Sequence, residues 1–188
     1  MRERVTDEGG LARYLRHRVV SALTALDAED TAMDQRNWSY VVLADELGRW
    51  SSRARLDRVE LFRRMVLNAL ISNVDDHPRN HALVAPGRDW HLAPAYDLTP
   101  NARQGSEGRR LAMECGVLGR VATRENLLSM APRFGLLVDE ANAVIEEMRE
   151  IVGRFWRAEV LRNGGSERDC RVIEGAFVYP GLEYRSEP

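Results

Sequence analysis

Leu56, Val59, Phe62, Val66 and Leu70 form an apolar stripe with three- and four-residue spacing, the period of one buried helical face. A helix of about five turns, with Arg63 and Arg64 on another face, therefore has to lie against a core. It runs through Ile71 straight into Asn73-Val74-Asp75-Asp76-His77-Pro78-Arg79-Asn80, an unusual concentration of polar side chains directly after an apolar helix. There the period changes. Two short runs, His81 to Val84 and Trp90 to Ala93, flank Ala85-Pro86-Gly87-Arg88-Asp89, and a link of that kind between short runs predicts a β-hairpin. Pro94 and Pro100 bracket an extended segment, Ala95 to Thr99, because proline keeps the residue before it out of the helical region.

The rest of the chain reads as helix. Leu11, Leu15, Val19, Leu23 and Leu26 predict a first helix from Leu11 to Leu26, and Asp27 to Asn37 is a polar connection. Tyr40 to Leu47 reads as a short helix ending near Gly48, and Asn101 to Arg110 as a surface loop. Helices are expected at Arg124 to Arg133, at Asp139 to Arg162 with Asp139 as N-cap and Gly164 past its end, and at Glu167 to Phe177 with Ser166 as N-cap. The expectation is a single domain over residues 1–188, mainly α, with one small hairpin carrying the polar motif at its mouth.

Composition removes several function classes. Apolar residues make up 44% and charged residues 30% of the chain, which fits neither disorder nor a membrane span. The first residues lack an apolar signal core, so a cytoplasmic location is the expectation. Cys115 and Cys170 have no CxxC spacing and read as buried small side chains. Net charge is −2 with basic and acidic residues interspersed, a pattern that does not point to direct nucleic-acid binding by this chain alone. All 27 basic residues are arginine, so chemistry that requires a lysine amine cannot be housed here.

Asp75 and Asn80 are spaced D-x-x-x-x-N. Phosphoryl transfer to a hydroxyl needs a carboxylate to accept the hydroxyl proton and a nearby amide oxygen to hold magnesium, and the protein-kinase catalytic loop uses this spacing. Asp97, across the hairpin, can supply the second metal carboxylate. The bland reading is that Asp and Asn cap and stabilise turns. A metal-hydrolase reading would use His77, His81, His91, Asp75 and Asp76, but the four-residue spacing of His77 and His81 falls on a loop and a strand rather than on one helical face.

Leu61-Phe62-Arg63-Arg64, the segment Asn73 to His81, and Trp90-His91-Leu92-Ala93-Pro94-Ala95-Tyr96-Asp97-Leu98-Thr99-Pro100 together resemble the HipA-type serine/threonine kinase toxins. Ser21-Ala22-Leu23-Thr24, Ser39-Tyr40, Arg133-Phe134-Gly135-Leu136, Ala176-Phe177 and Pro180-Gly181 extend the resemblance over most of the chain. It implies the helical lobe of a protein-kinase-like fold, with ATP and Mg2+ as cofactors. Asp75 is then the catalytic base, Asn80 and Asp97 the metal ligands, and His77 and Tyr96 residues near the nucleotide. It further implies a protein substrate, an aminoacyl-tRNA synthetase in the best-known members, and a helix-turn-helix antitoxin as partner. The family's first half supplies a small lobe with a lysine and a phosphate-covering loop. Neither is visible here, so the expectation is a separate small-lobe chain or self-association. A non-catalytic module that keeps only its partner surfaces is the alternative.

Overall fold

The computed structural model describes residues 2–6, 12–31, 33–102, 109–177 and 180–183. Strands β1 (Arg2–Thr6) and β2 (Ala12–Arg16) form an antiparallel pair with Arg2 opposite Arg16. Strand β3 (Arg18–Ser21) belongs to a second sheet, in which it pairs with β4 (Ala82–Ala85), and β4 pairs with β5 (His91–Leu92), all antiparallel. The expected hairpin is therefore present and carries a third strand.

The helix expected from Leu11 to Leu26 is thus replaced by strands β2 and β3 and by α1 (Ala22–Ala25), a single helical turn. The four-residue spacing is present, but it competes with a nonlocal demand. All four residues of β4 are buried, and their backbone groups need partners on both sides; Val19 and Val20, β-branched and stiff at χ1, fit the strand better than a helix. Ser21 ends the strand by capping α1, its hydroxyl accepting from the Thr24 amide at 3.2 Å.

Helix α2 (Tyr40–Trp50) starts on Ser39, whose hydroxyl accepts from the Val42 amide, and runs past Gly48 instead of stopping there. A Cβ at Gly48 would sit 1.8 Å from Arg58 Nη2. The glycine therefore makes room for Arg58, whose Nε donates to the Ala44 carbonyl at 3.0 Å. Helix α3 (Ala54–Leu70) buries Leu61, Phe62, Met65, Val66 and Ala69, while Leu56, at the start of the sequence stripe, is 69% exposed. Arg64 is buried rather than solvated: its Nη2 donates to the Ala93 carbonyl at 2.7 Å and its Nε to Glu60 at 2.9 Å.

The C-terminal half closes the core over α2 and α3. Helix α4 (Arg124–Ser129) is shorter than expected, and a 3-10 turn, Ala131–Phe134, takes over where Pro132 has no N–H to give to an α-helical ladder. Phe134 packs edge-to-face on Phe62 at 5.4 Å between ring centroids. Helix α5 (Val138–Arg162) adds Ile145 and Met148 to the core. Its first turn is held by Glu140, which accepts from the Leu137 amide at 2.8 Å, so Asp139 is not the N-cap. Helix α6 (Glu167–Phe177) does begin at Ser166: the Ser166 hydroxyl accepts from the Asp169 amide, and Asp169 accepts in return from the Ser166 amide and hydroxyl. Those bonds hold the Asp169 carboxyl below its ordinary range.

Cys115 and Cys170 are free and buried, as expected. Most of the loop expected from Asn101 to Arg110 lies outside the described residues. Among the described residues no helix is long and apolar enough to cross a membrane.

Candidate functional site

The segment after α3 reverses direction within a few residues. Ser72 takes a left-handed conformation, φ 60°, and the Asn73 amide reaches back to the Asn68 carbonyl at 2.9 Å. The His77 amide then donates to the Asp75 carbonyl, and a 3-10 turn, Pro78–Asn80, leads into β4. The turn sends the adjacent carboxylates to different places. Asp75 is exposed, and Asp76 has no exposed surface at all.

Asp76 sits in a buried polar network. Its Oδ2 accepts from the Tyr40 hydroxyl and from Asn68 Nδ2 at 2.6 Å, and lies 2.7 Å from His81 Nε2. Asn68 in turn accepts from Asn73 Nδ2 at 3.0 Å, which ties the end of α3 to the loop. Burial, followed by the Asp76 charge, pushes the Tyr40 hydroxyl well above its ordinary value. Spacing alone did not reveal this network, because Tyr40 and Asn68 come from two other helices.

Above the network lies a pocket of about 240 Å³ lined by Asp75, Asn80 and Asp97, together with Asn73, Thr99 and Asn101. The three residues expected to carry the chemistry are thus brought to one cavity. Asp97 is held in the left-handed region, φ 58°, a conformation that Asp tolerates better than most residues and that concentrates at functional sites. Asn80 Nδ2 faces the Asp75 carbonyl oxygen at 3.4 Å, which leaves the amide oxygen as the end available to a cation. The Asp97 carboxylate and the Asn80 amide oxygen are hard oxygen donors, a set that suits Mg2+ better than Zn2+. Asn73, Thr99 and Asn101 had no assigned role in the sequence; their polar side chains beside Asp75 and Pro100 were the available signal.

His77 and Tyr96 do not line this pocket. The half-buried ring of His77 meets Trp38 edge-on at 6.3 Å. Tyr96 donates its hydroxyl to the Arg79 carbonyl at 2.6 Å, and partial burial raises its pKa. Among the described residues no group of three or more His, Cys, Asp or Glu side chains is arranged to hold a metal ion. With His81 committed to Asp76 and His91 in β5, the hydrolase reading loses the ligand set on which it stood.

The far end of the chain supports the site from behind. Ser72 donates its hydroxyl to the Ala176 carbonyl at 2.5 Å, and Arg109 Nη2 donates to the Gly175 carbonyl at 2.8 Å. Both caps fall on the last turn of α6, where a cation is favoured by the helix dipole. Gly175 brings this turn close to residue 102, since a Cβ there would lie 3.3 Å from the Ala102 carbonyl oxygen.

The sequence profile of the HipA-like C-terminal domain matches residues 3–156. A protein of Sinorhizobium fredii (strain NBRC 101917 / NGR234), provisionally named as the kinase Y4dM, is 32% identical over 127 residues, which are 64% of this chain and 30% of that protein. A chain in the solved complex of the Shewanella oneidensis MR-1 toxin–antitoxin system, HipA, HipB and its operator DNA, superposes with a TM-score of 0.69 at 18% identity, covering 92% of this chain and 44% of that one. The present chain spans less than half the length of either relative.

Proposed function

The chain belongs to the HipA-like C-terminal domain family, and on that premise we propose that it forms the helical, metal-holding lobe of an ATP-dependent serine/threonine phosphotransferase. The observation that carries the reading is the pocket shared by Asp75, Asn80 and Asp97. Asp75, exposed at its mouth, accepts the proton of the attacking hydroxyl. Asn80, through its amide oxygen, and Asp97, through its carboxylate, hold the cation. Magnesium, when bound, supplies charge neutralisation for the transferring phosphoryl group. His77 and Tyr96 border the nucleotide, Tyr96 fixed through the Arg79 carbonyl.

The sequence contains no lysine, so a lysine clamp on the phosphates has to come from outside these 188 residues, from a small lobe or a second chain. The acceptor is a protein hydroxyl, an aminoacyl-tRNA synthetase by family resemblance. A HipB-like DNA-binding partner restrains the assembly, which works in the cytoplasm.

Calorimetry with magnesium and ATP, on the parent and on Asp97→Ala, tests the reading. We expect magnesium-dependent binding that weakens at least tenfold in the variant, with the melting temperature lowered only by the strain of alanine at a positive φ. Binding that ignores magnesium in both proteins removes the metal role, and no binding by either favours a lobe kept only for its partner surfaces.

A further inference from the structure

Asp75 and Val74 border two cavities. The second, of about 630 Å³, shares Val74 and Asp75 with the first but not Asn80 or Asp97, and falls within the size range of ligand clefts, about 300–1,000 Å³. Arg36, Arg110 and Arg120 line it, and among the described residues Glu114 is its one other charged neighbour besides Asp75. This is a local reversal of sign in a chain whose net charge is −2. Arg36 and Arg110 are exposed, whereas Arg120 is half-buried and fixed by a hydrogen bond to the Gln35 carbonyl. The walls are tied together: the Leu111 amide donates to the Arg120 carbonyl and the Glu114 amide to the Trp38 carbonyl, each at 2.8 Å.

We propose that this cavity is the docking groove for the acceptor protein, and that it takes an extended segment in which the serine or threonine is flanked by acidic residues. The proposal rests on the phosphotransferase reading and deepens it. With the metal and phosphates on the Asn80 and Asp97 side, an acceptor approaching along the arginine-lined side brings its hydroxyl to Asp75, the residue both cavities share. There the hydroxyl oxygen forms a bond to the γ-phosphorus of ATP while the bond from that phosphorus to the bridging oxygen breaks. ADP leaves with the bond electrons, and the hydroxyl proton passes to the Asp75 carboxylate. An acidic peptide fits the groove better than a nucleic acid does. Trp38, the groove's aromatic residue, is 5% exposed with its Nε1 donating to the Glu29 carbonyl, so it presents no face on which a base could stack.

Fluorescence anisotropy tests the proposal with three labelled probes at low salt, where exposed charges are least screened: a serine peptide flanked by four glutamates, the same peptide with four lysines, and a single-stranded RNA 12-mer. The glutamate peptide is expected to bind at least tenfold tighter than the lysine peptide, and Arg36→Glu/Arg110→Glu to abolish or invert that ratio while melting like the parent. Equal affinity for the two peptides overturns the proposal, as does RNA binding tighter than the glutamate peptide through the same arginines. A magnesium–ATP titration of the parent separates the groove from the reading beneath it. ATP binding without peptide preference overturns the groove and leaves the phosphotransferase, whereas peptide preference without ATP binding supports the groove as a peptide site and shows that this lobe by itself does not hold the nucleotide.

Discussion

Below the turn after α3, Asp76 has no exposed surface and gathers Tyr40, Asn68 and His81, whereas above it Asp75, Asn80 and Asp97 share a pocket that opens to solvent. The two layers are one residue apart in the chain and differ in what a carboxylate does there. In the lower layer one carboxylate oxygen, Oδ2, is held by partners from α2, from α3 and from His81 just before β4, and serves to fix the loop. In the upper layer the oxygens face a cavity and remain available to a ligand. A site of this kind requires both, because donors have to be held by a rigid support if they are to be presented in one geometry.

Removing each neighbour in turn is the most direct challenge to this division. Asp76→Ala strands the Tyr40 hydroxyl, the Asn68 amide and His81 in the interior, and losing one member of such a buried network costs about 3–5 kcal/mol of a total that is itself only about 5–15 kcal/mol. Asp75→Ala removes an exposed side chain and changes stability by less than about 0.5 kcal/mol; under the proposed phosphotransferase function it is expected to lower phosphoryl transfer by the assembled kinase about 100- to 10,000-fold, the range for loss of a general base. Urea unfolding and transfer of γ-labelled phosphate measure the two effects. If the two variants unfold at the same urea concentration, the division into a supporting layer and a presenting layer is wrong.

The division also explains what could be read from the chain before its fold was known. The upper layer is legible because Asp75 and Asn80 are close in sequence and Asp97 returns across a short hairpin, so spacing and turn chemistry are enough to bring them together. The lower layer is not, because nothing in Asp75-Asp76 says which of the two will be driven inward; that is decided by Tyr40 and Asn68, supplied by α2 and α3. The burial of Arg64 was hidden for the same reason, since its acceptor, the Ala93 carbonyl, lies 29 residues away. Gly48 looked like a helix stop until Arg58 occupied the space its missing Cβ leaves. The strand Arg18–Ser21 was masked by a four-residue apolar spacing, and only its pairing with Ala82–Ala85 selects the extended form.

Alkaline unfolding addresses chiefly the interior and leaves Asp75, Asn80 and Asp97 untouched. Burial pushes the Cys115 thiol from 9.0 up to about 12 and lifts the Tyr40 hydroxyl well above 10.0. A folded-state pKa above the unfolded one means that the unfolded chain releases its proton first, so this stability is complete below pH 9 and is lost as pH rises from 9 toward 12. By pH 10 the loss through Cys115 is on the order of 1 kcal/mol. Urea midpoints measured from pH 8 to pH 11 should fall accordingly. Cys115→Ala flattens the early part of the decline and Tyr40→Phe the part above pH 10, while Asp75→Ala keeps the parent's profile. A parent curve that is flat to pH 11 would show that these groups are not held as the fold describes.

The smallest effect concerns the join between the pocket and α6. Ser72 is strained in a left-handed conformation, and its hydroxyl bonds the Ala176 carbonyl at the end of α6. Ser72→Ala keeps the strain and loses the bond, a net cost of about 1 kcal/mol. Ser72→Gly loses the same bond but relieves the strain, since glycine adopts positive φ freely, and at a site of this conformation alanine loses the advantage over glycine that it holds elsewhere. Glycine is therefore expected to be the milder substitution by a few tenths of a kcal/mol, the reverse of the usual order. Hydrogen exchange locates the effect: both variants should lose protection in the last turn of α6, where Arg109 still holds Gly175, while amides of α2 keep theirs. If alanine is the milder change, the left-handed turn is not what fixes the start of the loop, and the pocket owes its shape to Asn73 and the buried layer beneath it.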